Sequence, residues 1–169
     1  MTTKVEGTLG IEFPDGTTQS TASGFNPIKT RFFAVKTTNT TGQGRPAKVT
    51  FDSVVWQTGT GYNSTTGIFT APTNGYYLFC AACEATGTGL VAPVLVGYKN
   101  KGGVQEATVG QQAAAVSTTS AKSAAISTVM KLNTGDTLEI DLSADGGTSI
   151  THVGNPQGTW FSGHILSTF

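Results

Sequence analysis

Two cysteines three residues apart, two histidines and a few aspartates are the side chains of this 169-residue chain that could do chemistry. Cys80 and Cys83 spell Cys-Ala-Ala-Cys, the spacing of a dithiol redox centre or of half a zinc site. Spacing alone is not enough. A redox pair of this kind sits at a helix N-terminus, and zinc needs two more ligands that the chain does not offer. The surrounding residues read instead as a β-strand, in which positions three apart face opposite ways and lie about 10 Å apart, beyond the roughly 7 Å that a disulfide bridges. Both cysteines are expected to be buried structural thiols. His152 and His164 are the only histidines, no Gly-x-Ser-x-Gly elbow occurs, and no phosphate-cradling glycine loop precedes a helix. Asp141 and Asp145 could be offered to calcium, but that ion takes about six to eight oxygens and these carboxylates belong to no recognised loop. A polysaccharide depolymerase would need paired carboxylates in a groove, and carboxylates are sparse. The expectation is a non-enzymatic protein with no catalytic residue, no cofactor and no bound metal.

Composition points the same way. Charged residues make up 12% of the chain and the formal net charge is zero, so there is no field to gather nucleic acid or an anionic membrane. No apolar run approaches the roughly 20 residues that span a bilayer. With 22 glycines and abundant threonine, solubility rests on hydroxyls and amides, a profile that suits an all-β extracellular or virion surface. Residues 1–10 lack the apolar centre of a secretory signal, so a soluble cytosolic product is expected.

These side chains must be positioned by strands. Strand signals recur from Arg31 onward, separated by Gly, Pro, Asn and Asp clusters, the pattern of an antiparallel sandwich or jelly roll. The expected strands are 31–36, 48–56, 67–71, 75–85, 91–99, 104–116, 122–132, 136–143 and 158–168, with no helix. The organising stretch is Tyr62–Phe79, where Ile68-Phe69-Thr70 and Tyr76-Tyr77-Leu78-Phe79 flank Pro72 and Asn74-Gly75. It predicts a hairpin whose Gly75 supplies a positive φ. Residues 1–29 differ in character: Ile11-Glu12-Phe13 alternates like a strand, Pro14-Asp15-Gly16-Thr17 is a turn, and Thr18–Gly24 is small and polar. Two units follow, an N-terminal tether over 1–29 and a head over 30–169.

The series Tyr62, Gly67, Phe69, Pro72, Gly75, Tyr77, Phe79 resembles the signature of the C1q globular head, a branch of the tumour-necrosis-factor-like jelly rolls. Arg31–Val35, Val49-Thr50-Phe51-Asp52, the Leu132-Asn133-Thr134-Gly135-Asp136 turn and Phe161-Ser162-Gly163-His164-Ile165-Leu166 match further steps of that family in order. His164 stands where the family has an aromatic. The resemblance implies two five-stranded sheets and a homotrimer. It makes Phe69, Tyr77, Phe79 and Phe161 core anchors. Alternation along 122–132 sets Ala125, Ser127 and Val129 on one face, and counting by twos from Phe161 sets Ser162 and His164 away from the core. These five are the expected trimer interface. In this topology the turns at 72–75, 99–103 and 133–136 share the end that holds the termini. The longer loops at 37–48, 86–90, 117–122 and 143–158 share the other end, where a rigid β scaffold usually binds. Arg45, Gly89, Lys122, Asp145, His152, Asn155 and Gln157 are the expected receptor-binding residues there.

The run from Ile11 to Ala22 is similar to an element, Ile-x-Phe-Pro-Asp-Gly-Thr-x-Gln-x-Thr-Ala, of tail fibres and other appendages of tailed bacteriophages. That resemblance implies a trimeric fibre tip on a virion, made in the host cytoplasm and joined to other fibre or tail proteins through residues 1–24. The receptor would be a host surface polysaccharide or outer-membrane protein. The alternatives are a purely structural virion fibre or decoration protein, and a bacterial C1q-like lectin or ligand.

Overall fold

The computed structural model describes residues 4–6, 10–12, 18–19, 30–44, 46–87, 92–99, 106–107, 121–145 and 149–169, and among these every regular element is a strand. In chain order they are β1 Lys4–Glu6, β2 Gly10–Glu12, β3 Thr18–Gln19, β4 Arg31–Val35, β5 Thr40–Gln43, β6 Ala47–Lys48, β7 Ser53–Thr58 and β8 Tyr62–Asn63. Then come β9 Ile68–Thr70, β10 Gly75–Thr86, β11 Ala92–Lys99, β12 Glu106–Ala107, β13 Lys122–Leu132, β14 Thr137–Asp145, β15 Ile150–His152 and β16 Trp160–Ser167. The first three pair among themselves, with Ile11 of β2 opposite Gln19 of β3.

The remaining strands form two antiparallel sheets. One runs β5-β15-β10-β16-β4-β7 with β13 against the other flank of β10, and the second runs β12-β11-β14-β9-β8 with β6 also against β14. Because β15 and β16 share one flank of β10, and β6 and β9 share one flank of β14, each sheet has five ladder positions despite its interruptions. That is the expected all-β jelly roll of two five-stranded sheets.

Sequence alternation explains the core. Along β10, Gly75, Tyr77, Phe79, Ala81, Cys83 and Ala85 are buried while the residues between them are not, the period of two that turns one face of a strand inward. Along β13, Ile126, Met130 and Leu132 are buried, whereas Ala125, Ser127 and Val129 are exposed. The four anchors Phe69, Tyr77, Phe79 and Phe161 all lie in the core cluster.

The structure corrects several expectations. β9 and β10 do not form a hairpin, since β9 pairs β14 in the second sheet and β10 belongs to the first. The turn between them crosses the sandwich, which lets the Phe69 ring pack edge-on against Phe79 with centroids 5.1 Å apart. Nor does Gly75 take a positive φ; a side chain there would strike Ile165 Cδ1 and the Ser167 carbonyl, both at 2.7 Å. The positive-φ glycines of the matched motifs are Gly67 (71°) and Gly135 (90°), which close turns that L-residues reach only with strain.

Cys83 is buried but Cys80 is not, because the strand turns it to the outward face, where its Sγ lies 3.3 Å from Ser127 Oγ. The strand expected over 48–56 is split: β6, Ala47–Lys48, pairs β14 in the second sheet, and β7 begins at Ser53 in the first. Phe51 instead spends its N–H and C=O on the Tyr62 hydroxyl, at 3.1 and 3.0 Å, and forms no ladder. β5 and β15 occupy stretches expected to be loop. Of the strand expected over 104–116, only Glu106–Ala107 falls within the described residues.

Candidate functional site

Register fixes the two ends of the sandwich. Gly75 pairs Leu132 and Tyr76 pairs Ser167 at one end, while Ala85 pairs both Lys122 and His152 at the other. The second end is therefore built by the start of β13, the end of β14, β15, and the segment after β4.

That segment is pinned by one carboxylate. Asp52 Oδ1 accepts from the Thr37 N–H at 2.7 Å and the Thr37 hydroxyl at 2.8 Å, and Oδ2 accepts from the Thr38 N–H at 3.1 Å and the Thr38 hydroxyl. Partial burial pushes the Asp52 carboxyl up, but these four bonds outweigh it and hold the group below its usual range. Asp52→Ala is expected to destabilise the fold by about 1–3 kcal/mol, since four donors lose one acceptor; a denaturant titration with Asp52→Asn as the milder control measures it. The same segment approaches Gly154 so closely that a side chain there would lie 2.5 Å from the Thr38 carbonyl carbon.

Beneath it lie polar groups that have no place in an apolar core. Lys36 is fully buried, and its ammonium donates to the Thr50 carbonyl at 3.1 Å. Burial lowers its pKa, against the attraction of Asp52 and Cys83. Burial pushes the Cys83 thiol up to about 12, although Lys36 and the Thr159 hydroxyl act in the opposite sense. His152 is 1% exposed, and among the described residues neither Nδ1 nor Nε2 has a hydrogen-bond partner. Burial, helped by the nearby Lys36, pulls its pKa down to about 4. Such a thiol is unreactive and such an imidazole is neutral, so the cluster bears on stability rather than on nucleophilic chemistry. Sequence alone does not reveal it: alternation from Phe32 and Ala34 turns Lys36 inward, but a lysine at the end of a strand reads as a solvated side chain.

Among the residues expected to meet a receptor, Lys122 and His152 are buried strand residues instead of exposed loop residues, since both stand beside the core-facing Ala85. Asn155 organises its own turn: its Nδ2 donates to Glu84 Oε2 at 2.9 Å, and its carbonyl accepts from the N–H groups of Gly158 and Thr159. Gln157 is exposed at this end. Arg45 and Gly89 lie outside the described residues, and Asp145 closes β14 opposite Ala92 with its side chain outside them. Asp141 is buried in mid-strand, and among the described residues no three His, Cys, Asp or Glu side chains gather as a metal cluster.

The outward face of the first sheet is the other candidate surface. β13 contributes Ala125, Ser127 and Val129, the last 54% exposed, and β16 contributes Ser162, His164 and the half-exposed Leu166. A row of aromatics crosses three strands beside them: Phe33 lies 6.1 Å from Trp56 and 6.1 Å from Trp160. Trp56, the last residue of the strand expected over 48–56, stands exposed within β7, which runs on to Thr58.

A comparison with known families matches the C1q domain over residues 31–166. The structure is similar to the globular domain of zebrafish complement 1qA protein (TM-score 0.63, 17% identity, covering 83% of this chain and all of that one). It is also similar to murine APRIL at pH 5.0 (TM-score 0.63, 17% identity, 81% of this chain and 98% of that one). Eiger TNF from S. frugiperda aligns with a TM-score of 0.65 at 12% identity, over 83% of this chain and 92% of that one. No curated protein sequence matches. At these identities the structural likenesses speak to the fold; the family match rests on the sequence itself, and by it the chain belongs to the C1q domain family.

Proposed function

We propose that the chain is a non-enzymatic, homotrimeric binding head at the tip of a bacteriophage fibre, with the end remote from residue 30 turned toward a host surface receptor. The observation that carries the trimer is the outward face of the first sheet, where small and apolar side chains (Ala125, Ser127, Val129, Leu166) stand exposed in a single protomer. Small residues let a second backbone approach closely, and an exposed apolar area of this kind marks an interface. The face carries few charges, and one of them, Lys131, is engaged 4.4 Å above the Phe169 ring. The phage assignment is supported by the Ile11–Ala22 run, within which β2 and β3 pair antiparallel. Pro14–Thr17 lies outside the described residues.

The remote end is polar without a dominant charge, so each site binds weakly and three copies on one axis gain through effective concentration. Adsorption to candidate host cells tests this. Bulky substitutions at Gln157 and Pro156 should weaken adsorption by about tenfold or more, while Asn133→Trp at the opposite end should leave it unchanged. The reverse pattern overturns the orientation. Absence of adsorption to any host, with binding to a soluble protein instead, favours the C1q-like ligand reading, to which the family match is equally open.

A further inference from the structure

The sandwich opens along one side between two edge strands, β7 of the first sheet and β8 of the second. A groove of about 540 Å³ lies there, with Gln57 and Thr60 on one wall and Tyr62, Asn63 and Ser64 on the other; Thr70 and Pro72 complete it. That volume falls within the roughly 300–1,000 Å³ of small-molecule sites. No lining side chain is charged.

The polar groups are only partly used within the protein. Among the described residues, the hydroxyls of Thr60, Ser64 and Thr70 make no hydrogen bond. Gln57 spends its amide nitrogen on the Gly59 carbonyl at 3.2 Å, leaving its oxygen as an acceptor. Asn63 does the opposite: its side-chain oxygen accepts from the Thr65 and Thr66 N–H groups at 2.9 and 3.2 Å, leaving its NH₂ as a donor. The Tyr62 hydroxyl is held by Phe51 and its ring is buried in the core, stacked on Phe32 at 5.0 Å, so Pro72 supplies the apolar surface of the groove. The second-sheet wall is held by its own pairing, since the Thr70 N–H donates to the Gly61 carbonyl at 2.8 Å next to the Tyr62–Phe69 pair. A wall so fixed loses little entropy on filling.

We infer that this groove binds an uncharged saccharide. Three hydroxyls that donate or accept, one fixed acceptor and one fixed donor complement a ring whose substituents are themselves hydroxyls, and the Pro72 surface suits one of its C–H faces. With no cation in the lining, a sialylated or phosphorylated glycan has no partner for its charge. The groove lies beside the 72–75 turn, away from the end proposed above to meet a receptor, and the inference holds whether or not the chain is carried on a virion.

The test uses the full chain and a panel of neutral hexose and N-acetylhexosamine oligosaccharides, with sialylated and phosphorylated ones for comparison, read by saturation-transfer NMR. Binding confined to neutral members is expected. Thr70→Val and Gln57→Leu should each weaken it about tenfold, and Ser64→Trp, which fills the groove, should abolish it at an unchanged melting temperature. Failure of every neutral glycan at millimolar concentration overturns the inference. So does binding that survives both Ser64→Trp and Thr60→Trp in folded protein, or a preference for anionic members. Cell adsorption of the Gln157 and Pro156 variants is a separate readout that bears on the proposed function alone.

Discussion

Phe161→Ala is expected to cost about 3–5 kcal/mol of stability, the range for removing a buried aromatic side chain together with the cavity it leaves. No other ring is so central. Phe161 is 0% exposed and makes edge contacts with Phe32 and Tyr62, at centroid distances of 4.9 and 5.6 Å, and tilted contacts with Phe51 and Phe79, at 5.4 and 6.0 Å. Those partners come from both sheets and from the segment before β7, so no single strand can relax into the space. Collapse would require the sheets themselves to move. Phe161→Leu keeps part of the volume and should cost less. Chemical denaturation at neutral pH measures both, and a Phe161→Ala variant that unfolds with the wild type would mean the two sheets are not packed through this ring.

Acidification should destabilise the head, and His152 is the cause. Its pKa is pulled from 6.5 to about 4 in the fold, so the unfolded chain binds the proton more readily than the folded one. Stability is therefore unaffected by this group above about pH 6.5, falls as pH drops through the interval down to about 4, and levels off below it. The full difference corresponds to about 3 kcal/mol. Lys36 reinforces it, because an imidazolium would share the buried end with an ammonium. Asp52 acts in the same direction but only lower, since its carboxyl is held below its usual value, and the two windows separate on a pH titration. His152→Leu should flatten the profile between pH 6.5 and 4 and remove two unsatisfied nitrogens. Identical slopes for wild type and His152→Leu across that interval would show that the ring reaches solvent or a partner when charged.

The fold was legible where one rule decided it. Alternation along β10 and β13 assigns inward and outward faces residue by residue, and the spaced motif residues from Tyr62 to Phe79 tie the chain to its family. Legibility failed where two rules compete. Asn74-Gly75 has the composition of a hairpin turn, yet Gly75 is needed because Ile165 and Ser167 leave no room for a side chain, and the strands it joins lie in different sheets. His152 sits in a polar stretch that reads as solvent-exposed loop, and pairing with Ala85 turns it inward; pairing between distant segments is not written locally. Lys122 shares the inward parity of Ala124 and Ile126 on β13, but its charge and its place at the end of a loop read as solvent-exposed. Of the expected far-end residues, Gln157 is exposed while Asn155 is consumed by the turn it stabilises. The groove at Gln57 and Tyr62 escaped notice because its walls come from the edges of two sheets.

Association through the outward face of the first sheet carries the proposed trimer, and sedimentation equilibrium of the full chain at micromolar concentration measures it directly. The prediction is a single species of three chain masses for the wild type, and one chain mass for Ser127→Arg, which sets a charge on the exposed face of β13 without touching the core. A wild-type chain that sediments as a folded monomer, or a Ser127→Arg trimer as stable as the wild type, would contradict it.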